Sequence, residues 1–191
     1  MNTMLNVSVS PHLRAETDTP ALMRDVAIAL LPACIFGVYN YGYRAAVIIL
    51  ISVATALLTE FLFEKLVRRT VTVGDWSAVV TGLLLAVNLP ASVPYWMPAL
   101  GSLFAILVVK QLFGGIGQNF MNRALAGRCF LLISFTAEMT NFVYDGVAGA
   151  TPLAALKAGE GVDLVQMFLG THGGCIGETS GLAILVGAGY L

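Results

Sequence analysis

The sequence predicts an all-α fold, a polytopic membrane helix bundle with short or broken helices, and three observations carry that prediction. Charged residues make up 11% of the 191 and apolar ones 58%, against roughly 25% and 45–50% in soluble proteins. A soluble core of this size could not hide so much apolar surface. Uncharged stretches of spanning length recur along the chain, and most charges fall between them. The net charge of −1 and the absence of any Lys/Arg-rich run give no basis for nucleic-acid binding.

Residues 1–24 are polar and of mixed charge, and read as a cytoplasmic N-terminal segment. They lack the basic stretch followed by an apolar run that marks a cleaved signal peptide. The membrane domain is then 25–191. Val26 to Tyr43 is uncharged and close to the roughly 20 residues a span requires; Pro32 bends it and Arg44 closes it. Ala45 to Phe63 forms a second span, with Glu60 near enough to its end to reach polar surroundings, and Lys65, Arg68 and Arg69 beyond. Trp76 to Val109 is uncharged, yet Asn88-Leu89-Pro90-Ala91-Ser92-Val93-Pro94 cuts it in two. Each piece supplies about 21–23 Å of helix against a hydrocarbon core near 30 Å, so these are short, tilted or broken helices. Ala124 to Ala137 is equally short and carries Arg128. A last stretch from Ile176 is still apolar at Leu191, which reads as a chain incomplete at its C-terminus. Non-helical backbone at membrane depth survives only where protein or a cavity surrounds it, as in transporter folds with inverted repeats.

Orientation follows from the basic residues. With the N-terminus inside, the inner face collects Arg14, Arg24, Lys65, Arg68, Arg69, Lys110, Arg123 and Arg128, and the outer face only Arg44 and Lys157. The segment of about 138–171 is then an outer loop. Within it, Asp145-Gly146-Val147-Ala148-Gly149-Ala150-Thr151 before Pro152 is either an ordinary glycine-containing turn or a slim loop whose hydroxyl an outside enzyme could grip.

Other polar features leave alternatives open. Gly114-Gly115-Ile116-Gly117 suits a tight re-entrant turn or close helix approach better than a phosphate cradle. His172 to Ser180 places Glu178 among glycines and hydroxyls, as a cation or flavin contact or as a capped helix entry. Asp75 lies where a helix N-terminus would stabilise it, followed by Ser77 and Thr81 one turn apart. Arg123 is read as an anchor at a helix end, with an anionic flavin or lipid phosphate as the alternative. Cys34, Cys129 and Cys175 are too far apart for a zinc or disulfide framework and read as buried small apolar residues.

Several motifs in order now resemble one family: Met23-Arg24-Asp25, Gly74-Asp75-Trp76-Ser77 through Thr81-Gly82, Leu89-Pro90, Lys110 with Phe113 to Gly117 and Asn119, Met139-Thr140, the Asp145 to Leu153 loop, and Gly177-Glu178-Thr179-Ser180. Together they resemble the D subunit of the Rnf electron-transport complex, a ferredoxin:NAD oxidoreductase related to the B subunit of the sodium-translocating NADH:quinone oxidoreductase. The resemblance implies covalent FMN, esterified by a flavin transferase through its phosphate to Thr151, with Asp145, Gly149 and Ala150 completing the attachment motif. It implies further a protein about twice this length with two inverted halves, of which this chain is one, in the inner (cytoplasmic) membrane with Thr151 outside. Partners would be the other members of the complex, the transferase and the lipid bilayer. A second, non-covalent flavin is also within what the resemblance allows. Two positions depart from the family pattern: Ala148, where a hydroxyl is usual, and Arg123, where Pro is frequent. The competing readings are a solute channel or transporter component, or a structural scaffold, neither with a redox role.

Overall fold

The computed structural model describes residues 18–68, 72–144, 147–148, 156–157, 159, 164–170 and 172–191. Within them the protein is helical, apart from a two-residue antiparallel ladder. α1 (Thr19–Tyr41) begins earlier than the first uncharged residue suggests, because Pro20 sits in its first turn, where a missing N–H costs nothing. Pro32 is carried inside it and does not end it. Gly42 reverses the chain at φ 68°, a conformation open to glycine without strain, and α2 (Tyr43–Val67) returns beside α1. At 23 and 25 residues both exceed the roughly 20 a span needs. Only 22% of each apolar window is buried inside the protein, so their outer faces, with Ile35, Leu50 and Leu58, are left for lipid or partner proteins.

The sequence break at 88–94 is real. α3 (Ser77–Val87) has 11 residues, roughly 16 Å of helix, about half the hydrocarbon core. Its end is satisfied from two sources. Asn88 folds back, its Nδ2 donating to Leu84 O at 2.7 Å and its N–H to Leu85 O at 3.0 Å. A distant segment supplies the rest: Gly177 N donates to Val87 O at 2.9 Å and Ile176 N to Leu89 O at 3.0 Å. The carbonyls at the break are thus satisfied by the protein itself, the condition for stopping a helix away from water.

The second half of that region runs two residues past the uncharged stretch, to Gln111. α4 (Trp96–Phe104) runs without interruption into a π-helical stretch, Ala105–Gln111, and so carries Lys110 and Gln111 inside. α5 (Arg123–Ser134) opens on Asn122, whose Oδ1 accepts from Ala124 N at 3.0 Å and Leu125 N at 3.3 Å. The short α6 (Thr136–Met139) follows. Then β1 (Val143–Tyr144) pairs with β2 (Val147–Ala148), Val143 opposite Ala148. α7 (Leu164–Leu169) leads to α8 (Gly181–Tyr190), which Ser180 Oγ caps at Ala183 N, as the helix-entry reading anticipated.

The core joins α2, α3, α4 and α5 through Ile48, Leu85, Met97 and Leu131, and the distant Ile176 plugs into it. Small residues let helix backbones meet. A Cβ at Gly82 would lie 2.8 Å from Val53 Cα. There Ser52 Oγ donates to Gly82 O at 2.8 Å and lies 2.8 Å from Ser102 Oγ, tying α2, α3 and α4 at one point.

Candidate functional site

The predicted attachment residues Asp145, Gly149, Ala150 and Thr151 lie outside the described residues, while Ala148 is in β2. The approach to that loop is well defined. Ser92 Oγ donates to Asn141 O, and Arg44 reaches Ser92 O at 3.5 Å while standing 5.5 Å from the centre of the Tyr95 ring. The chain entering the β1–β2 ladder therefore stands at the Arg44 end of α2.

A second polar centre, which sequence reasoning missed, occupies the opposite end of α2, about 24 Å along the helix from Arg44 to Glu60. Glu60 and Glu64 are one turn apart and share a face, as the i, i+4 spacing requires; both are buried, at 0% and 3% exposure. Facing them, the π-helical end of α4 places Lys110 and Gln111 inward in succession. Lys110 Nζ lies 2.5 Å from Glu60 Oε1 and donates to Ser77 Oγ at 2.5 Å. Gln111 Nε2 donates to Glu64 Oε1 at 3.3 Å. Thr72 closes the group: its N–H donates to Glu64 Oε2 at 2.9 Å, and its Oγ1 is within reach of Oε1 of both glutamates, 3.1 Å from that of Glu60. The remaining oxygen, Glu60 Oε2, is buried with no partner among the described residues. A pocket of about 260 Å³ adjoins the centre, lined by Glu64, Thr72, Asp75, Lys110, Gln111 and the glycine loop.

The Glu60 expectation needs correcting in one respect: its carboxylate finds its polar surroundings buried inside the protein, in Lys110 and Thr72, and not in solvent at a helix end. The reason is α3, too short to fill the bundle, beside which the wider π-helical turns of α4 bring a cation inward. In the sequence Lys110 stands as an orientation charge and as part of the family motifs, with no partner assigned. The usable signal was the Glu60–Glu64 spacing, which puts two carboxylates on one face of a span.

Asp75 does stand before a helix. Its Oδ1 accepts from Ser77 N at 2.8 Å, and Trp76 adopts a left-handed conformation at φ 64° to allow it, at a cost of about 1–2 kcal/mol. Thr81 Oγ1 donates to Ser77 O at 2.7 Å within α3, while the Ser77 hydroxyl is taken by Lys110. The glycine loop forms the expected tight turn, with Gly114, Gly115 and Gly117 at φ 109°, 109° and 85°. Arg123 is not an outward anchor. Its Nη1 is buried without a partner among the described residues, and it lines a pocket of about 360 Å³ with Asn119, Asn122 and Thr81. Arg128, also counted as an inner-face charge, turns instead to the α3 break: Nη1 donates to Asn88 Oδ1 at 2.9 Å and Nη2 lies 3.7 Å from Cys175 Sγ. Glu178 is exposed. Cys34 and Cys175 are buried as expected, but Cys129 is exposed, since no described residue covers its face of α5.

Comparison with known proteins covers nearly the whole chain. The model of the NQR2, RnfD, RnfE family matches residues 6–191. The chain is 50% identical over 196 residues to the D subunit of the Na+-translocating ferredoxin:NAD+ oxidoreductase complex of Acetobacterium woodii, covering 98% of this chain and 62% of that protein. It is 38% identical over 205 residues to the D subunit of the proton-translocating ferredoxin:NAD+ oxidoreductase complex of Clostridium ljungdahlii, with the same 98% and 62% coverage. To the D subunit of the ion-translocating oxidoreductase complex of Halorhodospira halophila it is 33% identical, covering 98% of this chain and 64% of that protein. The chain thus spans about three fifths of the length of these relatives.

Proposed function

This chain belongs to the NQR2, RnfD, RnfE family, and from that premise we propose that it is part of a membrane component of an ion-translocating electron-transport complex working between ferredoxin and NAD. The observation that carries the reading is the match, over 98% of the chain, to relatives named as the D subunits of such complexes. In this proposal Thr151 holds FMN through a phosphoester, and the other members of the complex deliver and remove electrons. The flavin, when bound, supplies the redox chemistry that no amino-acid side chain here offers. The chain supplies the acceptor hydroxyl of Thr151, the slim Gly149-Ala150 approach a flavin transferase needs, and Asp145 beside it.

The fold supports a membrane location through two helices of spanning length with apolar outer faces. The proposed orientation, with the N-terminus cytoplasmic and Thr151 outside the inner membrane, rests on the distribution of basic residues. It accords with the attachment loop being approached from the Arg44 end of α2, opposite the Glu60–Lys110 centre. The proposal leaves the ion open, because one relative is named for sodium and another for protons. It includes a second, non-covalent flavin, for which the 360 Å³ pocket beside Arg123 is the place to look, being of small-molecule size.

The test expresses the full-length protein with its flavin transferase and examines a denaturing gel under ultraviolet light. A fluorescent band that disappears in Thr151→Ala is expected. A dark wild-type band, with a transferase active on another substrate, would overturn the attachment and favour a channel without a redox role.

A further inference from the structure

We propose that the turn between α1 and α2, through Asn40, Tyr41 and Arg44, holds both ends of the loop that carries Thr151 and so fixes where that loop stands. What the loop carries rests on the reading of Thr151 as the flavin site; how the loop is held rests on bonds between described residues. The loop departs after α6 and is gathered in again after α7. Its first end is held at Asn141. Ser92 Oγ donates to Asn141 O, and Arg44 steadies Ser92 by reaching its carbonyl at 3.5 Å, with the guanidinium 5.5 Å from the centre of the Tyr95 ring.

The second end is held by the last turn of α1. Asn40 Nδ2 donates to Gly170 O at 2.7 Å and lies 3.5 Å from Thr179 Oγ1. Tyr41 Oη accepts from Gly174 N at 3.1 Å and donates to Gly174 O at 3.1 Å, with His172 O 3.4 Å away. Gly170 and Gly174 are buried, and a buried main-chain group without a partner is costly, so the two side chains meet a need that this stretch cannot meet by itself. Gly170 has no room to slide. Its φ is 92°, and a Cβ there would lie 2.6 Å from Thr179 O and 2.8 Å from the Phe36 ring.

The contacts of Asn40 and Tyr41 reach 130 to 139 residues along the chain, yet the three holding side chains fall within five residues, two before Gly42 and one after it. Gly42 makes this possible, because at φ 68° it is the only residue between the end of α1 and the start of α2. Apart from the long contact to Thr179, the bonds at both ends finish on main-chain atoms. They therefore fix the path of the chain and not the side chains it bears. A site on a loop is only as exact as the scaffold beneath it, and here the scaffold is the hairpin of the two spanning-length helices. Asn40, Tyr41 and Arg44 are thus positioning residues for whatever is tethered at Thr151.

The test compares the full-length protein in its purified complex, made with the flavin transferase, with Tyr41→Phe, Arg44→Gln and a control, Ser52→Ala. Ser52 ties α2, α3 and α4 inside the bundle, about 12 Å along α2 from Arg44. Hydrogen exchange over residues 170–176 should quicken roughly five- to tenfold in Tyr41→Phe, as the loss of one or two ordinary hydrogen bonds predicts, and stay at the wild-type rate in Ser52→Ala. Flavin fluorescence on a denaturing gel should persist in all of them. The circular dichroism and midpoint potential of the bound flavin should shift in Tyr41→Phe and Arg44→Gln but not in Ser52→Ala. Unchanged exchange in Tyr41→Phe would overturn the proposal, and so would quicker exchange with an unaltered flavin signature. A dark wild-type band would remove only the flavin reading, and exchange alone would then decide whether the turn holds the loop. Should Tyr41→Phe fail to assemble, Asn40→Ser takes its place with the same outcomes.

Discussion

Lys110 carries a large local energetic stake, because it is buried with its partner Glu60. Burying one ion costs several kcal/mol, and its partner repays this only while the pair is intact. Lys110→Met should therefore destabilise the protein by about 3–5 kcal/mol, because Glu60 is left as an uncompensated buried charge. The paired change, Glu60→Leu with Lys110→Met, should recover most of that loss, since an apolar pair of similar volume is often neutral. Thermal unfolding in detergent reads both; a single variant as stable as wild type would mean the pair is not sealed. Residues whose partners are close in sequence were readable in advance. Asp75 on the Ser77 N–H and Ser180 on Ala183 N are local bonds that spacing alone suggests. The Lys110–Glu60 bond joins positions 50 apart, and no periodicity within either helix encodes it.

Among the elements, α3 was legible as a short helix because Pro90 and Pro94 punctuate the sequence. The extension of α4 to Gln111 was not, because its last turns are π-helical and held open by what they face, not by propensity. The contact of α3 with α2 depends on the missing side chain at Gly82, where a Cβ would stand 2.8 Å from Val53 Cα and 3.1 Å from Ser52 O. Those obstacles are backbone and cannot rotate away. Gly82→Ala should cost about 1–3 kcal/mol by overpacking, and a larger residue more, seen as a lowered unfolding midpoint. A neutral result would show that the two helices can separate freely.

For the whole molecule, the proposed sidedness makes a direct prediction. In a Cys129→Ser background, needed because Cys129 is exposed, Lys157→Cys should react with a membrane-impermeant maleimide added to intact cells. Arg68→Cys should react only after permeabilisation. The reverse pattern would invert the orientation and place the Thr151 loop inside. Basic-residue counting yields the proposed sidedness without any tertiary contact. It could not foresee that Arg123 and Arg128 turn inward, since the counting rule records charge and not direction.

The closure of α3 by Ile176 and Gly177 also governs when the protein can be finished. A ribosome delivers Val87 roughly ninety residues before the amides that its end requires, and pairing so distant in sequence is slow to form. Until then the emerging chain holds a half-helix whose last carbonyls lack the partners that the folded protein gives them, which is costly wherever water is excluded. Lipid is a poor place to wait. That interval is the stage of biogenesis at which an insertase has something to shelter, and a ribosome stalled short of Gly177 should leave α3 open to proteolysis while α1 and α2 have already formed.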